Sequence, residues 1–228
     1  MSIAVSLDFE FAEGSKRRTE AVVIRQAVVA GWTGRDKAAM EHHIHELEAI
    51  GVKRPSKTPL FYRISAQRLT TGSAVEMLGA DSSGEVEYVL LRSGGRLWVG
   101  AGSDHTDRKV ESVSIPVSKQ LCDKPVAPSL WPFESVADHW DTLILRSWIH
   151  ENGKRVLYQE GTTAALLPPQ KLLEEFGELT EGTLMFGGTL AARGGIRPSP
   201  RFEFELVDER NGLRIAHAYD VKTLPIVE

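Results

Sequence analysis

The chain has 228 residues with 27 Lys+Arg against 31 Asp+Glu, a formal charge of -4, and its basic residues are scattered rather than gathered into a stripe. That argues against nucleic acid and anionic membranes as partners. Cys122 is the single cysteine, which excludes an intrachain disulfide framework and a cysteine zinc cluster and fits a reducing, cytoplasmic setting. The start, "MSIAVSLDFEF", acquires acids almost at once and lacks the pattern of a signal peptide, and no window approaches the roughly 18 apolar residues of a membrane span. A soluble intracellular protein is expected.

In chain order, "SIAVSLDFEFA" alternates at period two and predicts a first strand, and "EAVVIRQAVVAGWTG" predicts another buried strand ending in a glycine turn. "RDKAAMEHHIHELEAIGVKRP" predicts a helix: Asp36 is the N-cap, Met40, Ile44 and Leu47 fall at helical spacing, Gly51 is the stop and Pro55 lies beyond it. From Pro59 onward, "LFYRIS", "AVEMLGA", "EVEYVLL", "RLWVGAG" and "ESVSIPVS" are short apolar segments between Gly, Ser and Asp turns, which predicts a strand-rich body. Two further strands meet at Asn152-Gly153, a pair suited to a tight hairpin. "PPQKLLEEFG" predicts a short helix between Pro168-Pro169 and Gly177. The tail offers three closing strands, the last two joined at Asn211-Gly212. No repeat, low-complexity tract or linker divides the chain, so one mixed, mainly β domain over residues 1–228 is expected.

Glu85 and Glu87, two apart on a predicted strand, share a face. Alternation alone makes that a solvent face with Val86 inward; a hard-cation site needs a third acid, which Asp104 or Asp107 can supply. The predicted helix carries His42, His43 and His45, without HExxH spacing. His43 has Glu46 three residues on and His45 has Glu48, so either histidine has a carboxylate on the adjacent turn to orient it for accepting a proton from water. Helical geometry places His43 within the stripe of Met40, Ile44, Leu47 and Ile50 and points His45 away from it; a packed or incidental histidine explains the pattern equally well. Lys119 reads by default as a surface lysine. Ser103, Thr106 and Cys122 lack a nucleophile context, and "FGGTLAARGGI" is neither a Walker loop nor a GxGxxG fingerprint.

Taken in order, these pieces resemble the fumarylacetoacetate hydrolase superfamily over roughly residues 24–228. "ENGKRVLYQEGTTAALLPPQKLLEEFGELTEGTLMFGGTL" is similar to that family's run of NGE, QxG-T, short helix, L-x-x-GD and TGT, with Gly182-Thr183 standing for GD and Gly187-Gly188-Thr189 for TGT. "FEFELVDERNGLRIAHAYDV" resembles its final strands, Glu85-Val86-Glu87 its E-x-E metal pair, and "SDHTDRKVE" the turn of its sugar-acid dehydratase branch. The "GxNYxxH" entrance is replaced by "GWTGRDKAAMEHHIHELE". Counting back from "LFYRIS" favours His45/Glu48 as the dyad, whereas amphipathic geometry favours His43/Glu46, which is the expected pair because a catalytic group must face the site.

The resemblance implies an α+β, mainly β fold, a mixed β-sandwich roll with a lid helix near the N-terminus. It implies that Glu85, Glu87 and Asp104 hold Mg²⁺ or Mn²⁺, that His43, Glu46 and Lys119 are catalytic, and that Arg63 and Thr189 hold a substrate carboxylate. The expected activity is that of a metal-dependent hydrolase or lyase of oxo-acid catabolism, acting on a small 2-oxo or β-dicarbonyl acid through an enolate, with carbon–carbon hydrolysis foremost. The alternatives are a dehydratase, decarboxylase or isomerase of a 2-oxo (sugar) acid, or a non-catalytic metabolite-binding protein. A homodimer is expected, with a small-molecule carboxylate as its partner.

Overall fold

The computed structural model describes residues 3–49 and 54–227. The N-terminal part supplies β1 (Val5–Glu13), β2 (Lys16–Ile24), β3 (Gln26–Gly31), α1 (Lys37–Ala49) and β4 (Leu60–Ile64). The stretch expected as one strand across residues 20–34 is two. Arg25 breaks the run, donating its N–H to the Gly182 carbonyl at 2.8 Å. As a result β2 completes a hairpin with β1 while β3 joins the far side of the same sheet.

The middle supplies β5 (Ala74–Leu78), β6 (Val86–Ser93), β7 (Arg96–Ser103), α2 (Arg108–Glu111), α3 (Ile115–Leu121) and β8 (Ser129–Pro132). The segment "ESVSIPVS", read as a strand, instead ends α2 and opens α3. Pro116 sits in the first helical turn, where its missing N–H has no partner to lose, so the period-two alternation there was coincidental. The C-terminal part supplies β9 (Ile144–Glu151), β10 (Lys154–Thr162), α4 (Pro169–Phe176), β11 (Thr183–Thr189), β12 (Arg201–Asp208) and β13 (Leu213–Leu224). Asn152 and Gly153 take φ of 51° and 73°, the left-handed pair that a two-residue hairpin between β9 and β10 requires.

An eight-stranded sheet runs β2-β1-β8-β7-β6-β11-β3-β4 and a five-stranded sheet β10-β9-β12-β13-β5. Alternation along β6 sorts its side chains between two cores. Val86, Tyr88 and Leu90 face the five-stranded sheet, where Leu145, Tyr158, Phe202 and Tyr219 meet them. Val89 and Leu91 face the other way, toward Phe9, Trp98, Leu130 and Phe186, about which the larger sheet curls. Both faces of this strand are thus buried, which is why it reads as a nearly continuous apolar run. The fold is α+β and mainly β, as expected. No described helix is long and apolar enough to cross a membrane.

The predicted start of α1 is correct: the Asp36 carboxylate accepts the Ala38 and Ala39 N–H groups at 2.9 and 3.0 Å. Ile44 anchors the helix, being 3% exposed. The predicted stop at Gly51 lies outside the described residues.

A buried imidazole ties the segment before β9 to the β12–β13 hairpin. His139 Nδ1 lies 2.5 Å from Asp138 Oδ1, and its Nε2 3.0 Å from Asp208 Oδ2. Burial alone would lower the His139 pKa, but the hydrogen bonds to the two aspartates outweigh it and raise it above the ordinary value. A raised folded-state pKa means the clamp contributes fully below about pH 6.5 and is lost as pH rises through the raised value. His139→Asn should therefore destabilise the protein more at pH 6 than at pH 9, measured by urea unfolding; an equal loss at both would contradict the charged clamp.

Candidate metal centre

Three acids converge at one end of β6 and β7. Glu85 immediately precedes β6, Glu87 is its second residue, and Asp104 follows the last residue of β7, its N–H donating to the Glu85 carbonyl at 3.0 Å. One carboxylate oxygen from each lies within 4.8 Å of the others. Burial excludes the solvent-face reading for Glu87, which is 2% exposed, and leaves the Glu85 side chain only partly accessible at 16%.

Glycines make room for this arrangement. Gly102 pairs opposite Glu87, and a Cβ there would come within 2.6 Å of the Phe186 ring. The β11 pairing shifts register between Phe186 and Thr189. That bulge turns the Gly188 N–H onto Glu87 Oε2 at 2.7 Å. Gly188 has φ of 108°, and a Cβ on Gly187 would lie 2.1 Å from the Tyr88 ring. No threonine fits at Gly187, which accounts for Gly-Gly-Thr where the resembled motif has Thr-Gly-Thr.

Cations balance the acids. Lys119, on α3, is 6% exposed and its ammonium donates to Asp104 Oδ2. Lys124 is 0% exposed; its Nζ donates to the His105 carbonyl and lies 3.2 Å from Asp104 Oδ1. That approach pairs charge without hydrogen-bond alignment, so Asp104 Oδ1 accepts no hydrogen bond among the described residues. Arg108 reaches Glu85 Oε1 at 3.2 Å, Glu111 Oε2 at 2.7 Å and Ser83 Oγ at 2.7 Å.

The electrostatics follow from that packing. Burial, then the neighbouring Asp104 charge, pushes the Glu87 carboxyl well above the usual carboxylate range. Burial likewise raises Glu85 against the pull of Arg108. For Asp104 burial is outweighed by Lys119 and Lys124, which hold its carboxyl well below the usual range. For Lys119 burial is outweighed by Asp104 and Glu85, which keep its ammonium firmly protonated. Three crowded carboxylates, two of them driven upward, and one buried oxygen without a hydrogen bond form a donor set that fits a hard divalent cation.

His105 is no catalyst. Its Nδ1 lies 2.8 Å from the Tyr219 hydroxyl and its Nε2 2.9 Å from Ser82 Oγ. Burial, with Lys124 and Arg108 nearby, pushes its pKa down to about 3, so the ring is neutral and structural. Asp107 caps α2, accepting the Val110 N–H at 2.9 Å.

Other expected residues are placed differently. Arg63 pairs opposite Val28 on the face of β4 that carries Phe61, and it is exposed; the period of the strand turns it away from the acids. Tyr62, one residue earlier, faces the site, with Lys119 Nζ 5.9 Å from its ring centre and its hydroxyl accepting from Trp32 Nε1 at 3.2 Å. Thr189 is close, but its only hydroxyl proton goes to the Val86 carbonyl at 2.8 Å, while Gln159 Nε2 donates to its oxygen at 2.8 Å. The hydroxyl has no proton left for a substrate carboxylate. The side chains of His43 and Glu46 lie outside the described residues. The competing His45 is an exposed member of a surface ion-pair cluster, 3.2 Å from Glu41 and 3.4 Å from Glu48.

Lys124 and Arg108 were not singled out from sequence. Only Pro125 hinted at Lys124: the residue before proline is held extended, as the bridge of Lys124–Pro125 to Leu69–Thr70 requires.

Residues 30–219 match the family described as "Protein of unknown function (DUF2848)". The chain belongs to that family. A search of curated proteins found no match. Among solved structures, a proposed fumarylacetoacetate isomerase/hydrolase from Oleispira antarctica superposes with a TM-score of 0.67 at 17% identity, covering 94% of this chain and 99% of that one. A 2-keto-3-deoxy-D-arabinonate dehydratase complexed with magnesium and 2,5-dioxopentanoate gives 0.64 at 15%, covering 91% and 77%. A fumarylacetoacetate hydrolase from Exiguobacterium antarcticum gives 0.63 at 15%, covering 93% and 83%. This DUF2848 chain therefore has the fumarylacetoacetate hydrolase-like fold that its motifs resembled.

Removing Asp104 tests the charge balance directly. Asp104→Asn leaves two buried ammonium groups facing a neutral amide, and breaking such a set costs about 3–5 kcal/mol. Urea unfolding in the presence of a chelator should show a loss of that size; a loss under about 1 kcal/mol would mean that the lysines do not depend on Asp104.

Proposed function

We propose that this chain is a divalent-metal-dependent hydrolase or lyase of a small 2-oxo or β-dicarbonyl acid, with carbon–carbon bond hydrolysis as its reaction. The observation that carries the proposal is the convergence of Glu85 with the buried Glu87 and Asp104, with the Lys119 ammonium on Asp104. Glu85, Glu87 and Asp104 would hold Mg²⁺, or Mn²⁺, between them. Bound there, the ion would act as a Lewis acid on the substrate's oxo group, stabilising enolate charge.

The chain's own groups do the rest. Lys119 is held against Asp104 and has N–H donors to spare, so it adds fixed positive charge where an oxyanion develops. Tyr62, whose hydroxyl accepts from Trp32, sets an aromatic ring beside that ammonium. His43, oriented by Glu46, takes a proton from water, and the hydroxide attacks the carbonyl carbon. The bond to the adjacent carbon then breaks, and a proton is returned to that carbon. In this reading α1 is a lid over the substrate, residues 1–228 are one catalytic domain, and the protein works as a cytoplasmic homodimer.

Enolisation can be tested without the true substrate. Proton-to-deuterium exchange at the methyl group of pyruvate, followed by NMR, should require Mg²⁺ or Mn²⁺ and fall about a hundredfold or more in Lys119→Met. The same ions should raise the melting temperature of the wild type and leave that of the Glu85→Gln/Glu87→Gln double variant unchanged. Metal stabilisation without exchange on any 2-oxo acid would favour a non-catalytic binding protein. His43→Ala should lose turnover while keeping the metal response; the same loss from His45→Ala would reassign the dyad.

A further inference from the structure

Asp104 carries one lysine more than a metal ligand with a single catalytic neighbour needs. Lys119 satisfies Oδ2 through a hydrogen bond, while Lys124 stands 3.2 Å from Oδ1, the oxygen without a hydrogen bond. Lys124 cannot swing clear. Its Nζ is bonded to the His105 carbonyl, its backbone is bridged to Leu69, and the Val126 N–H that follows donates to the Thr70 carbonyl at 2.8 Å. It is also wholly enclosed, at 0% exposure. A cation held through Oδ1 therefore shares that oxygen with a fixed ammonium, in a low-dielectric site where charges interact strongly.

Arg108 pairs with Glu85 and Glu111, Asp104 pairs with Lys119 and Lys124, and the Glu87 carboxylate lies within 4.8 Å of those of Glu85 and Asp104. As ligands of a divalent ion the carboxylates must be ionised, and four negative charges then meet three positive ones and the ion's two, a surplus of one positive charge. An anion bound with the ion restores the balance.

We propose that Lys124 is a positioning residue that acts as an internal counter-cation. It keeps the carboxylates assembled in the metal-free protein, weakens their hold on a bare divalent ion, and so couples metal binding to the arrival of an anionic oxo-acid. This rests on the reading of Glu85, Glu87 and Asp104 as metal ligands.

The test is calorimetric titration of the full chain with Mg²⁺, alone and with oxalate as an enolate mimic. The proteins are the wild type, Lys124→Met, Lys124→Gln and Glu87→Gln; the glutamine at position 124 keeps a donor for the His105 carbonyl while removing the charge. Oxalate should tighten Mg²⁺ binding to the wild type by at least about tenfold. Both Lys124 variants should bind Mg²⁺ alone at least about tenfold tighter than the wild type, with a smaller gain from oxalate. Equal or weaker Mg²⁺ binding by a folded Lys124 variant overturns the proposal. So does a wild-type affinity that oxalate leaves unchanged, a result that needs no variant to fold. If Glu87→Gln takes up Mg²⁺ as well as the wild type does, the metal assignment itself fails and the role of Lys124 fails with it.

Discussion

Asp104 is a carboxylate with no exposure, and an ion in that position is tolerable only if counter-charges are built around it. The elements nearby are arranged to supply them. α3 brings Lys119 to Oδ2, the short Lys124–Pro125 bridge brings a second ammonium to Oδ1, and α2 holds Arg108 between Glu85 and Glu111. The apolar framework yields at the same place. Gly102, Gly187 and Gly188 lack the side chains that would collide with Phe186, Tyr88 and Thr33, and the β11 bulge gives up regular pairing to aim one N–H at Glu87. Strands that elsewhere bury apolar groups on both faces here end in charge.

Much of this was legible in the chain. The two-residue spacing of Glu85 and Glu87 fixes their common face, and Asn152-Gly153 and Asp36 specify a hairpin and a helix start through local chemistry alone. The superfamily likeness led to the fold and to Asp104. What local pattern could not supply was long-range. Arg63 lies near the acids in motif order, but strand parity puts Tyr62 there instead. Thr189 arrives at the right place with its proton already spent on Val86. Lys124 and Arg108 resemble any surface cation until the β7 turn, α3 and the bridge to Leu69–Thr70 are assembled around them. The helix α3 was misread because Ser-Ile-Pro-Val-Ser alternates like a strand, while Pro116 suits the first turn of a helix at least as well.

The solved structures with this fold include a hydrolase and a magnesium-complexed dehydratase, so the fold by itself leaves the bond to be broken open. The charge pattern is more informative than the fold. An acid set with two ammonium groups on one of its carboxylates suits a cation that carries a small anion with it. Crystals grown with Mn²⁺ and examined by anomalous scattering test the account at its centre. A manganese peak ligated by Glu85, Glu87 and Asp104, with Lys119 retained beside Asp104, is the predicted result. Manganese bound elsewhere, with the three carboxylates still paired only to lysine and arginine, would contradict it.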